Sequence, residues 1–170
     1  IGNKSTWKSV DGGWFFTLAI NESGELWAWG FNEDGELGTG DKNNKPNMVR
    51  VGNASNWREI DAGGFHTVGI KEDGTIWAWG ANNAGQLGTG DFNERLNPTQ
   101  IGSSSNWKSI KAGYEFTLAL KNDGTIWSCG WNGDGQLGDG TYIEKNTLEQ
   151  VGSENTWNKI EAGSTFSYGI

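Results

Sequence analysis

The chain is predicted to be all-β, assembled from propeller blades of four antiparallel strands each. Three observations lead there. The sequence repeats itself every 50 residues without a gap: Trp7, Trp57, Trp107 and Trp157 align, as do Gly13, Gly63, Gly113 and Gly163, and "GELWAWG" (24–30) returns as "GTIWAWG" (74–80) and "GTIWSCG" (124–130). Each copy holds several short aromatic or β-branched runs separated by Gly-bearing turns, the pattern of strands rather than helices. Apolar residues do not recur at helical spacing, and Gly interrupts every window. Several short strands per repeat of this length mark a propeller blade. A parallel β-helix is the structural rival, but its repeats are usually much shorter.

In the first copy the runs lie at 7–10, 16–20, 25–29 and 48–51. The second and third read as strands buried on both faces, because they are nearly continuous in apolar residues. Between them, "NESGE", "KEDGT" and "KNDGT" place Gly where a tight hairpin needs a left-handed backbone. A blade cannot bury both faces alone, so its large residues must wedge against the next blade. Trp7, Trp27, Trp29, Trp57, Trp77, Trp79, Trp107, Trp127 and Trp157 stand in repeat columns and are expected to form that structural core. Each indole buried contributes about 2–3 kcal/mol by area. Residues 1–170 are taken as one domain, with repeats at 1–50, 51–100, 101–150 and a partial copy at 151–170.

Composition narrows the function. The formal net charge is −8, with 13 Lys and Arg, which disfavours nucleic-acid backbones and anionic membrane surfaces. No apolar run approaches the roughly 20 residues of a membrane span, and no stretch reads as a signal peptide. Cys129 stands in a Trp column and reads as a small buried hydrophobe. His66 stands in a Phe column with no Cys or His beside it, so it reads as structural and not as a zinc ligand. "NGDGQ" (132–136) has a faint calcium-loop look, but "NNAGQ" (82–86) lacks the acid, so these segments read as turns. "NKS" (3–5), "NES" (21–23) and "NAS" (53–55) match glycosylation acceptors at a frequency that abundant Asn explains by chance. No nucleophile elbow, phosphate loop or paired-carboxylate motif stands out. The expectation is therefore no enzyme, no metal and no cofactor.

The phrase "WKSIKAGYEFTLALKNDGTIW" (107–127), followed by "GWNGDGQLGDG" (130–140), resembles the regulator of chromosome condensation repeat, and the resemblance covers essentially the whole chain. It implies a seven-bladed propeller in full-length members, so this chain would supply about half of one: three full repeats and part of a fourth. Three arrangements follow: a fragment of a longer chain, which a pattern running from the first residue and stopping inside a copy favours; self-association of two copies to complete a ring; or a short solenoid with polar caps, which neither end displays. Founding members resemble this repeat but exchange nucleotide on a small GTPase through a wedge-like insertion and basic contacts. Gapless 50-residue copies leave no room for the insertion, so that role is the least favoured. A related plant photoreceptor carries "GWRHT"; the matching "GWFFT" (13–17) and "GYEFT" (113–117) lack its Arg. Members also occur in bacterial surface proteins, and the Asn, Lys and Ile bias fits an extracellular or surface setting better than a cytoplasmic one.

Repeat columns serve the fold, so a site is sought where the columns break. In an up-and-down sheet the turns after strands one and three share a face. There, column 14 reads Trp14, Gly64, Tyr114, Ser164, and column 31 reads Phe31, Ala81, Trp131. Trp14, Phe15, Phe31, Phe92, Arg95, Tyr114, Trp131 and Tyr142 are the candidate partner-binding residues, because Trp, Tyr and Arg dominate interface energetics. The opposite face, with its Ser- and Asn-rich turns, reads as solvated. The expected function is a non-catalytic module that binds a protein partner through the variable face. An accessory carbohydrate-binding or enzyme-associated domain, with Trp14, Phe31 and Trp131 stacking on sugar, is the alternative.

Overall fold

A computed structural model describes residues 6–170, so the Asn3–Ser5 acceptor triplet lies outside the described residues. The apolar runs become strands that pair in chain order. β1 (Trp7–Gly12), β2 (Phe16–Asn21), β3 (Leu26–Gly30) and β4 (Lys45–Arg50) form one antiparallel sheet in the order 1-2-3-4. The second copy repeats this with β5 (Trp57–Ala62), β6 (His66–Lys71), β7 (Ile76–Gly80) and β8 (Arg95–Gln100), and the third with β9 (Trp107–Ala112), β10 (Phe116–Lys121), β11 (Ile126–Gly130) and β12 (Lys145–Gln150). The fourth holds only β13 (Ile160–Ala162) and β14 (Ser167–Gly169), paired with each other. The chain is thus a partial all-β propeller of three four-stranded blades and the inner hairpin of a fourth.

The expected hairpin glycines, Gly24, Gly74 and Gly124, have φ of 73°, 78° and 83°, the left-handed region that Gly enters without penalty. The fourth strand differs from expectation: it begins at Lys45 rather than at Met48. Its pairing with β3 shifts register between Ala28 and Gly30, so Gly30 meets Lys45 across a bulge. Apolar character therefore did not mark the start of a strand held there by backbone pairing. It is an outer, edge strand, which is why Pro46 and, in β8, Pro98 are tolerated inside it.

Blades are joined by apolar faces. Trp57, Ile60 and Trp79 of the second blade pack into Phe16, Leu18, Ile20, Leu26, Ala28, Leu37 and Val51 of the first. Trp107 and Ile110 repeat the contact on the second blade's Val68, Ile70, Ile76 and Leu87. The expected Trp core is therefore real but uneven. Trp57, Trp79 and Trp107 are buried, while Trp7, Trp27, Trp29, Trp77, Trp127 and Trp157 are half-buried. Two causes explain the difference. Trp77 and Trp127 lie at the blade rim, edge-on to Trp57 and Trp107 at 6.1 and 6.0 Å, under the ammonium groups of Lys71 and Lys121. Trp7 and Trp29 face the side on which no preceding blade packs within this chain. Val10 shows the same effect at 59% exposure, against 6% for Ile60 and 0% for Ile110 in its column. At the other end Phe166 and Tyr168 are exposed where Phe16 and Leu18 are buried.

Polar groups also join the blades. Asp11 and Asp61 accept backbone N–H bonds from Ala62 and Ala112 at 2.6 and 2.7 Å, tying each first strand to the next. Thr67, Thr117 and Ser167 each donate a hydroxyl to the carbonyl of Glu36, Gln86 or Gln136 in the preceding blade at 2.7–2.8 Å. The Trp79 indole joins Thr67 on the Glu36 carbonyl, and the Cys129 thiol joins Thr117 on that of Gln86. Burial pushes the Cys129 thiol well above the usual range, so it is an inert packing residue, as its column suggested.

His66 fills its Phe column fully buried. Because the Thr117 hydroxyl already donates to Gln86, His66 Nε2 must donate to Thr117 Oγ1 at 3.0 Å, leaving Nδ1 as an acceptor without a partner. Burial pushes its pKa down to about 3 from 6.5. Below pH 6.5 the unfolded chain takes up a proton that the folded chain refuses, so this residue costs stability as pH falls toward 3. The expected loss is about 2 kcal/mol between roughly pH 7 and 5. His66→Phe should abolish that component while leaving stability near pH 7 unchanged or higher. Urea titrations of both proteins across that range check it; parallel pH profiles would show that His66 is not held neutral.

Candidate functional site

The turns after β1, β5 and β9 and the long loops after β3, β7 and β11 share one face, as the strand order requires. What docks each long loop on the turn beside it is a glycine at the end of each third strand. Gly80 has φ of 102°, and a Cβ there would stand 2.7 Å from the Phe65 carbonyl oxygen and 2.8 Å from His66 Cα. The chain can make this close pass only without a side chain. It then docks the next residue on the neighbouring turn: Phe31, Ala81 and Trp131 donate their N–H to the carbonyls of Phe15, Phe65 and Glu115 at 2.8–3.0 Å. Column 31 is thereby fixed beside column 15 in each of the three four-stranded blades.

On this face the rings form a connected aromatic arc. Trp14 meets Tyr114 at 4.6 Å between ring centroids, Phe65 at 5.7 Å and Phe15 at 6.2 Å; Phe15 meets Phe31 at 6.1 Å. Tyr114 also meets Phe65 at 5.7 Å. Trp14 is 55% and Phe15 65% exposed, so two large rings stand in solvent. Beneath Trp14 and Tyr114 lies an open cavity of about 240 Å³. It is lined by columns 12–14 of all four repeats, including Gly63, Gly113 and Ser164, and so marks the centre towards which the blades converge. Through Glu115 the arc continues to Trp131, which with Gly133, Tyr142, Ile143 and Glu144 lines a second, open cavity of about 340 Å³. Tyr142, at 76%, is more exposed than either ring of the first group.

The structure thus brings together Trp14, Phe15, Phe31 and Tyr114, and joins Trp131 and Tyr142 to them along one face. Phe92 is exposed on the loop after β7, outside these ring contacts. Arg95 is occupied: its guanidinium holds Asp91 at 2.7 Å and the Asn93 carbonyl at 2.8 Å, and it keeps the Asp91 carboxyl down at about 2. It braces its own loop. Sequence reading passed over Phe65 and Ile143. Phe65 has an aromatic counterpart only in Phe15 of its column, and that irregularity was the available signal.

Each long loop is organised by a buried Asn. Asn132 donates through Nδ2 to the carbonyls of Thr141 and Ile143 at 3.0 and 3.2 Å, and accepts the Leu137 N–H on Oδ1 at 3.0 Å. Asn32 and Asn82 make the same bonds. The "N–x–x–G–x–L" turns are therefore self-contained, held by hydrogen bonds to their own amide. Among the described residues, no three His, Cys, Asp or Glu side chains gather at a site able to hold a metal. The first two loops also lean on the next blade, where Gly40 and Gly90 donate to the carbonyls of Leu96 and Asn146 at 2.8 Å.

Models of the regulator of chromosome condensation (RCC1) repeat match residues 23–70, 73–120 and 123–170, and a second form of the same repeat matches 7–36, 57–86 and 107–136. No curated protein matches the chain significantly. Solved structures similar to it include Prp20p from Saccharomyces cerevisiae, at 21% identity and a TM-score of 0.85 over 96% of this chain, and yeast RCC1 (Prp20) bound to Kap60, at 20% and 0.86 over 95%. Human WBSCR16 superposes over 100% of the chain at 17% identity and a TM-score of 0.60. The chain spans 43% and 41% of the two yeast chains, and 59% of the human one.

Proposed function

We propose that this chain, which belongs to the regulator of chromosome condensation repeat family, is a non-catalytic module that binds a protein partner through the aromatic face centred on Trp14. The observation that carries this reading is the connected, solvent-facing arc Phe31–Phe15–Trp14–Tyr114 above a cavity. Exposed rings around an open cavity are the anatomy of an interface hot spot, where aromatic anchors and pockets contribute most of the affinity. A protein that contains this fold has protein partners: yeast Prp20p binds Gsp1p and histones and has been seen bound to Kap60. That relative supports a protein-binding reading without naming this chain's partner.

A photoreactive amino acid placed at Phe15 should crosslink a discrete protein from cell or culture extract, while the same group at Glu22, on the opposite face, should not. Trp14→Ala/Tyr114→Ala should abolish the crosslink at an unchanged urea midpoint. If the double variant still captures the same protein, or if a glycan and no protein competes for the face, the reading is wrong. The second result would favour the carbohydrate-binding alternative.

A further inference from the structure

We infer that the partner segment seated on this face is cationic: a polypeptide stretch bearing Arg or Lys, whose stems lie on the exposed rings and whose charged ends meet a carboxylate rim. The inference rests on the reading of the face as a docking surface and adds the chemistry of what docks. The cations that the long-loop face presents are already engaged. Lys42 pairs with Glu94, Lys45 with Asp41, Arg95 with Asp91, and Lys145 with Glu149. The carboxylates are not all used. Glu33, Asp34, Glu115, Asp134 and Glu144, all on the turns and long loops of this face, make no ion pair among the described residues. Glu115 adjoins Tyr114 and receives Trp131 on its backbone, Glu144 lines the cavity with Trp131 and Tyr142, and Glu33 and Asp34 follow Phe31. The loop face is therefore aromatic along its length and negative at its edges. A negative rim attracts cations, while indole and phenyl faces bind them through the ring quadrupole and pack against their methylene stems. The chain uses the same pairing internally, with Lys71 Nζ 3.4 Å from the Trp77 ring centre and Lys121 Nζ 3.7 Å from that of Trp127.

The test is isothermal titration of the whole chain with two synthetic peptides of identical Ser/Leu background, one carrying Arg at every third position and the other Glu. The Arg peptide should bind, and more weakly as salt rises; the Glu peptide should not. Glu115→Gln/Asp134→Asn/Glu144→Gln should weaken the Arg peptide about tenfold or more. Removing as many charges from the far side, through Glu22→Gln/Glu72→Gln/Glu154→Gln, should leave it unchanged. Equal loss from both triple variants would reduce the effect to net charge and overturn the inference. Binding that falls with Trp14→Ala/Phe15→Ala but not with the rim variant would overturn the cationic partner while leaving the docking face standing. If neither the ring variant nor the rim variant changes binding, both readings fail.

Discussion

Trp79→Ala is expected to lower the unfolding free energy by about 3–5 kcal/mol, the range for truncating a fully buried Trp. Three losses add. The indole has no exposed surface, and it fills the seam between the first two blades against the apolar cluster of Phe16, Leu18 and Leu37. It lies 5.6 Å from the Trp57 ring, so that edge contact goes too. Its Nε1–H donates at 2.8 Å to the Glu36 carbonyl, which would be left with Thr67 alone. Trp29 occupies the same column in the first blade but is only half-buried, so Trp29→Ala should cost about 1–2 kcal/mol. The comparison isolates the seam, because local sequence is nearly identical at "LWAWG" and "IWAWG". Urea denaturation followed by far-ultraviolet circular dichroism checks both. Equal losses would mean that the column serves its own blade and not the joint between blades.

That comparison also shows what the sequence could and could not reveal. Periodicity identified columns, strand order and faces, because a blade repeated at fixed spacing must place equivalent residues equivalently. It could not say how deeply a column is buried, since the depth of Trp7, Trp29 and Val10 depends on the neighbour their blade meets and not on their own residues. The same limit applied to the site. Trp14, Tyr114 and Trp131 were legible because they interrupt columns. Their placement was not: Trp14 reaches Tyr114 past Gly64, where a Cβ would stand 2.4 Å from the Tyr114 ring, and Trp131 is docked on the Glu115 carbonyl by the positive-φ Gly130 before it. Residue type alone marks Arg95 as an interface anchor, whereas its position four residues after Asp91 commits it to its own loop. The "NGDGQ" and "NNAGQ" segments read as turns, but the fan of carbonyls around each Asn amide comes from closure of a loop 9–11 residues long and has no local signature.

Asn132→Asp is expected to be the most disruptive isosteric change on the candidate face, costing about 3 kcal/mol. The position needs a donor and an acceptor at once. Oδ1 must accept from Leu137, and an aspartate oxygen would still do so. The Nδ2 side is the problem, because it faces only oxygens: the carbonyls of Thr141 and Ile143, the Thr141 hydroxyl, and Asp139 Oδ1 at 3.1 Å. A second carboxylate there would meet those lone pairs in a buried setting and would repel Asp139 directly. Each buried carbonyl left without its donor costs about 1–3 kcal/mol, more when it faces a charge. The damage should extend to function, because the hub ties the start of the loop, at Trp131, to its far arm, at Tyr142 and Ile143. Native-state hydrogen exchange should show faster exchange at Leu137 N–H in the variant, with β9 and β10 unaffected until global unfolding. The penalty should shrink as pH falls low enough to protonate the new carboxyl, which can then donate one bond back to a carbonyl. A variant as stable as the parent at neutral pH would mean that backbone pairing, and not the amide hub, holds the wall of the Trp131 cavity.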